Sequence, residues 1–180
     1  MKRMGLLGAT LALVACGSAD GGSDTDGDGT VSRAEMDAAI ADADEVKPEP
    51  GKYRVNMEVT DVNLPGAPEQ VVSMLRSNMN RAYDMCITPA EAENGFRDAL
   101  NQQEGCEVQR FAIDGGDIDM AMVCDQAGAG MEFAMTGQVT PTTSDLDMTM
   151  KGNAPGMGEM TMAMNYTQER VGECDGTEET

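Results

Sequence analysis

The chain has 180 residues, of which 32 are acidic and 12 basic, and its formal net charge is −20. A surface of this charge opposes binding to nucleic acid. Histidine is absent, which excludes metal sites with imidazole ligands and catalytic triads with an imidazole base.

The first predicted element is a signal peptide. Lys2 and Arg3 precede an apolar run over residues 4–15, which is about the length of a signal-peptide core and too short to span a bilayer. The run ends in Leu-Val-Ala before Cys16 and resembles the lipobox of bacterial lipoproteins. This resemblance implies cleavage after residue 15 and acylation of Cys16. An ordinary secretory signal with an incidental cysteine is the alternative.

Residues 16–23 are rich in glycine and serine, which is typical of a flexible tether. Position 17 is glycine and not aspartate, and the sorting rule for such lipoproteins then implies the outer membrane. Several acyl chains give stable anchoring. We therefore expect the membrane as a partner, with the protein facing the periplasm or exported. The sequence indicates no particular protein partner.

Residues 24–35 match the calcium loop of EF-hands at every defined position. They read Asp-Thr-Asp-Gly-Asp-Gly-Thr-Val-Ser-Arg-Ala-Glu, and the loop pattern is D-x-[DN]-x-[DN]-G-x₅-E. Gly29 stands where the loop turns sharply, and oxygen ligands in a flexible loop suit Ca²⁺ better than Mg²⁺. The predicted ligands are Asp24, Asp26, Asp28, the backbone carbonyl of Thr30, Ser32 and a bidentate Glu35.

The flanks of this loop supply only half of an EF-hand. Residues 17–23 contain two adjacent glycines and no apolar face, so they do not predict an entering helix. The following helix is predicted over residues 33–45, with Met36 and Ile40 one turn apart. No second loop is present in the sequence, and we expect weak Ca²⁺ binding, with a Kd of roughly 10⁻⁴ to 10⁻³ M. The alternative is an acidic linker that only caps the helix.

After a proline-rich linker at residues 46–51, alternating polar and apolar residues predict an antiparallel β domain over residues 52–175, followed by an acidic tail at residues 176–180. The predicted fold is mainly β: a meander sheet that curls or forms a half-barrel, with one or two short helices. Helices are predicted over residues 70–81 and from Pro89, where Thr88 and Glu91 form a capping box. Strands are predicted over residues 53–60, 106–113, 117–124, 131–140, 145–151 and 159–171.

Methionine dominates the apolar face of these strands, with 17 residues in the chain against 3% aromatic residues. Strict alternation is what burial against a second layer requires, so it favours a core role for these side chains. Two alternatives are a pliable cavity for an apolar ligand and a thioether site for Cu(I). The alternating methionines are Met120, Met122, Met131, Met135, Met148, Met150, Met160, Met162 and Met164.

Four cysteines remain besides Cys16, an even number that suits an oxidising compartment and allows three disulfide connectivities. The favoured pairing joins Cys86 to Cys106, because these residues flank one short helical segment. Cys124 then pairs with Cys174.

Several short motifs together resemble the domain-of-unknown-function family numbered 3617, small exported proteins of Gram-negative bacteria. The resemblance covers roughly residues 48–175 and implies a fold and a compartment, but no catalytic residues. The motifs are a Pro-Gly-Lys-Tyr strand start, Cys86-Ile87-Thr88-Pro89, Gly105-Cys106, Met-x-Met hairpin strands and a closing Arg170-Val171-Gly172-Glu173-Cys174.

These patterns favour a calcium-binding outer-membrane lipoprotein of unknown physiological role. The alternative function is a periplasmic carrier that binds an apolar ligand or Cu(I) on a Met-lined sheet face. We do not expect an enzyme, because the sequence has no nucleophile–base set and no glycine-rich phosphate loop after a strand.

Overall fold

The computed structural model describes residues 23–43, 46–94, 105–126, 129–154 and 158–176. The predictions for the signal peptide, for Cys16 and for the end of the tail lie outside these residues. The elements are α1 (Arg33–Asp42), β1 (Gly51–Asn63), α2 (Glu69–Met79), β2 (Arg81–Ile87), α3 (Pro89–Asn94), β3 (Cys106–Asp114), β4 (Asp117–Gln126), β5 (Ala129–Val139), β6 (Thr143–Ala154) and β7 (Gly158–Gly172).

All seven strands of the described residues lie in one open antiparallel sheet, in the order β2-β1-β7-β6-β5-β4-β3. Strands β3 to β7 form a meander, since each pairs antiparallel with the next strand along the chain. At the first turn, Gly115 and Gly116 have φ of 57° and 88°, in the left-handed region that favours glycine. The predicted antiparallel meander with short helices is confirmed. Strand β2 was not predicted from the sequence.

The strand register separates an apolar face from a polar face. Residues that pair across an antiparallel ladder point to the same side of the sheet. One cross-strand row on the apolar face consists of Met120, Met135, Met148 and Met164. The neighbouring row on the opposite face consists of Asp119, Thr136, Asp147 and Asn165.

Helix α1 covers the apolar face at the β3 end of the sheet. Its Met36 and Ile40 are buried against a cluster that includes Phe111 and Met122. Beyond the helix, Ala43 and Val46 are buried in a neighbouring cluster. Contact between this segment and the sheet was not predicted, and the structure shows that Met36, Ile40, Ala43 and Val46 form part of the core.

The predicted disulfide pairing is wrong, since the structure pairs Cys86 with Cys174 and Cys106 with Cys124. The register explains both bonds. Cys106 and Cys124 lie opposite each other on β3 and β4. Lys52 of β1 pairs with Cys86 on one side and with the last residue of β7 on the other. The chain after β7 therefore reaches β2 across the start of β1, with 5.5 Å between the Cα atoms of Cys86 and Cys174.

Candidate functional site: an acidic loop and an apolar cleft

The loop before α1 brings three of the predicted calcium ligands together. Carboxylate oxygens of Asp24, Asp26 and Asp28 lie within 4.8 Å of one another. The loop is folded around Asp24, whose carboxylate accepts hydrogen bonds from the backbone amides of Gly27 at 2.8 Å and Gly29 at 3.0 Å. This is an anionic cluster of hard oxygen atoms, the ligand type that Ca²⁺ prefers.

Glu35 lies at the other end of the loop and is tied back to its start. Its Oε1 accepts hydrogen bonds from the backbone amide and the hydroxyl of Thr25, both at 2.6 Å. Its Oε2 accepts one from the amide of Ser32 at 2.8 Å, and Ser32 Oγ accepts from the amide of Glu35, which completes the predicted capping box. The hydrogen bonds from Thr25, followed by those with Ser32, lower the pKa of Glu35 to about 2.

The predicted ligands therefore fall into two groups. Glu35 is not part of the close carboxylate cluster, and its oxygens are engaged with Thr25 and Ser32. Thr30 donates from both its amide and its hydroxyl to Asp28 Oδ1, at 2.8 and 2.7 Å. The carboxylate cluster is formed by the residues at positions 1, 3 and 5 of the loop.

The loop is held by strand β3. The amide of Val31 donates to the carbonyl oxygen of Val108, and the amide of Ser23 donates to that of Phe111, both at 2.7 Å. The side chain of Val31 is buried in the same cluster as α1. These contacts fix the loop at two points. In an EF-hand pair, an entering helix and a second loop would hold the loop instead.

A second feature is a cleft of about 710 Å³ on the part of the apolar face that α1 leaves uncovered. Its floor is formed by side chains of β2, β1, β7 and β6, among them Tyr83, Met57, Tyr166, Leu146 and Met148. This volume lies within the usual range of small-molecule pockets. No residue of β2 was predicted to line a binding site, although the alternation of Tyr83, Met85 and Ile87 was the available signal.

The linker closes one end of the cleft with Val46 and Pro48. It is fastened by the buried Tyr53, whose hydroxyl lies 2.7 Å from the carbonyl oxygen of Glu49 and 2.9 Å from that of Pro141. On the floor, burial raises the pKa of Tyr166 to about 12.

Some methionines of the apolar face lie beneath α1, and others line the cleft. Met120 and Met122 are buried beneath α1, and Met162 is also buried, so the predicted core role is confirmed for these three. Met57 and Met148 are half-buried and line the cleft.

Among the residues that the structure describes, no helix is long and apolar enough to cross a membrane. No curated protein and no solved structure matches the chain. A family model described as a protein of unknown function, DUF3617, matches residues 48–174. The matched segment contains the seven strands and two disulfide bonds of the described residues, and it leaves the acidic loop outside. Since the match covers more than half of the sequence, the chain belongs to the DUF3617 family.

Proposed function

We propose that this protein is a calcium-binding lipoprotein of the outer membrane, anchored through Cys16, in which Ca²⁺ fastens the segment before β1 to the sheet. The observation that carries the calcium proposal is the convergence of Asp24, Asp26 and Asp28 in a loop that matches the EF-hand pattern throughout. Three carboxylates this close repel one another, and a divalent cation relieves that repulsion.

The contacts with β3 support a structural role for the metal. Calcium would draw the first half of the loop together, while Val31 and Ser23 connect the loop to β3 and Met36 and Ile40 place α1 on the sheet. Because these contacts order part of the loop beforehand, we expect a Kd near 10⁻⁴ M, roughly at the tighter end of the extracellular range.

Calorimetric titration of the full chain with Ca²⁺ tests this proposal. We expect one saturable site, with affinity reduced at least about tenfold in Asp24→Asn and in Glu35→Gln, since each removes a charged oxygen ligand. Glu58→Gln is the matched control, because it removes an exposed carboxylate from β1, away from the loop, and should bind as the unaltered protein does. The same shallow, non-saturable response in all four proteins would show that only the net charge attracts Ca²⁺.

The anchor is tested separately through Cys16. We expect Cys16→Ser to remain an unacylated precursor, because the thiol that receives the acyl chain is missing. Intact-mass measurement and membrane fractionation would detect this change. If the variant matures and fractionates like the unaltered protein, the lipoprotein proposal is wrong, and calcium binding by the loop is unaffected.

A second candidate function is that of a carrier, and the cleft is the observation that favours it. The cargo is an apolar molecule, or Cu(I) bound by thioethers of the methionine rows. Native mass spectrometry of protein released gently from its own membrane distinguishes the two, because each adds a different mass. A mass equal to that of the acylated polypeptide alone would argue against both.

A further inference from the structure

The cleft has one cationic end. Met57 of β1 pairs with Arg81 on one side and with Tyr166 on the other, and Tyr166 pairs with Leu146. These four residues therefore form one cross-strand row on the floor of the cleft, with Arg81 at its outer end. Adjacent strands lie about 4.8 Å apart, so this row spans roughly 14 Å.

Arg81 is available to a ligand. It is exposed, and its guanidinium carbon lies 5.2 Å from the centre of the Tyr83 ring. No carboxylate among the described residues forms an ion pair with it. It is also the only basic side chain among the described residues that line the cleft.

The acidic residue of the lining is already engaged at the other end of β2. Glu91 accepts a hydrogen bond from the amide of Thr88 at 2.8 Å, and this contact helps to lower the pKa of Glu91. A ligand in the cleft therefore meets mainly apolar side chains and an uncompensated positive charge at the Arg81 end.

We propose that the cleft binds a single-chain amphiphile with an anionic head, such as a fatty acid. The head pairs with Arg81, and the chain lies across the strands over Met57, Tyr166 and Leu146. This inference rests on the carrier function proposed above and assigns the class of cargo. Methionine side chains suit a chain of variable shape, because they are unbranched and flexible. The protein has a net charge of −20 and as a whole attracts cations. Arg81 is therefore the group in the cleft that would favour an anionic ligand.

A palmitate analogue with a photoreactive group near the end of its chain provides the first test. The probe is cross-linked to the full chain in vesicles of a neutral phospholipid, and the labelled peptides are mapped by mass spectrometry. We expect label on β6 near Leu146 and Met148. Palmitate should compete with the probe at least about tenfold better than the uncharged alcohol of equal chain length, because only palmitate pairs with Arg81.

Two pairs of variants locate the anionic head and the hydrocarbon chain of the ligand. Arg81→Gln should abolish the preference for palmitate over the alcohol, whereas Arg76→Gln, which removes an exposed cation from α2, should leave it unchanged. Ser144→Phe fills the cleft and should abolish labelling, whereas Thr149→Phe places the same ring on the exposed polar face of β6 and should not.

Each contrary outcome has a separate meaning. Equal competition by palmitate and the alcohol, unaffected by Arg81→Gln, would overturn the anionic head and leave an apolar carrier. Absence of label from β6 would overturn the carrier function as well. Labelling that palmitate does not reduce, but that increases in Cys16→Ser, would mean that the acyl chains of the protein itself fill the cleft, and would overturn the proposal of a separate ligand.

Discussion

At the scale of single residues, Glu35 connects the capping of α1 with the acidic loop. Its two oxygens receive three hydrogen bonds, from the amide and hydroxyl of Thr25 and from the amide of Ser32. All three donors favour the ionised carboxylate over the neutral acid. If Glu35 bound calcium, metal–oxygen contacts would replace some of these hydrogen bonds. The proposed metal site and the cap of α1 therefore both depend on the side chain of Glu35.

This arrangement predicts a specific pH dependence. The pKa of Glu35 is lowered from 4.5 to about 2 in the folded protein. The ionised form therefore stabilises the fold above about pH 4.5, and this contribution is lost as the pH falls through about 2. In metal-free buffer, Glu35→Gln should be less stable than the unaltered protein at neutral pH, and the difference should decrease between these two pH values. Urea unfolding at several pH values measures the difference, and a constant difference would contradict the assignment.

At the scale of elements, the two disulfides have different roles. Cys106–Cys124 joins adjacent strands with a separation of 18 residues, whereas Cys86–Cys174 fastens an edge strand to the end of the chain across 88 residues. In the chain-entropy model, these loops correspond to about 3 and about 4.5 kcal/mol of stabilisation.

We therefore expect the double variant Cys86→Ala/Cys174→Ala to lose about 4.5 kcal/mol of unfolding free energy in urea, and Cys106→Ala/Cys124→Ala to lose about 3 kcal/mol. Peptide mapping without reduction should find the same two pairs. A link between Cys86 and Cys106, or a long-range bond whose removal costs nothing, would contradict the structure.

The sequence predicts an element well when the residues that cause it lie close together in the chain. The cap at Ser32 and the spacing of Met36 and Ile40 are local, so α1 was predicted. Strand β2 was missed because it has only seven residues and because the helix predicted over residues 70–81 extended to its first residue, Arg81. The disulfide pairing depends on which strands are neighbours in the sheet. That order is set by long-range contacts, such as the pairing of the last strand, β7, with β1. The spacing of cysteines along the chain does not encode these contacts.

The same distinction between local and long-range causes applies to the candidate site. The predicted calcium ligands Asp24, Asp26 and Asp28 lie within five residues of each other, so a motif was sufficient to predict their convergence. The cleft combines residues from β2, β1, β7 and β6, which are distant in the sequence. Its volume and its cationic end depend on the part of the sheet that α1 leaves uncovered, and only the folded chain shows this.

At the scale of the whole molecule, the loop and α1 pack on the sheet, so the proposed calcium binding would depend on the core. Ile40 is 5% exposed, and we expect Ile40→Ala to cost about 3 kcal/mol of stability. Because the same contacts hold the loop in place, the variant should also bind Ca²⁺ more weakly.

Urea unfolding and calorimetry measure these two effects in parallel. Val55→Ala is the matched control, since Val55 is fully buried in β1 away from the loop. It should lower stability and leave Ca²⁺ affinity unchanged. Equal Ca²⁺ affinity in the unaltered protein and in Ile40→Ala would show that the loop binds metal independently of the sheet.

The hydrogen bonds between the loop and β3 also bear on self-association. Strand β3 lies at an edge of the open sheet, and the unpaired backbone groups of an edge strand are a template for strands of other molecules. The carbonyl oxygens of Val108 and Phe111 are occupied by the amides of Val31 and Ser23. The loop thus blocks this edge against intermolecular β-sheet formation. Any condition that releases the loop from β3 exposes the unpaired edge, so calcium bound as proposed would also protect the protein from aggregation.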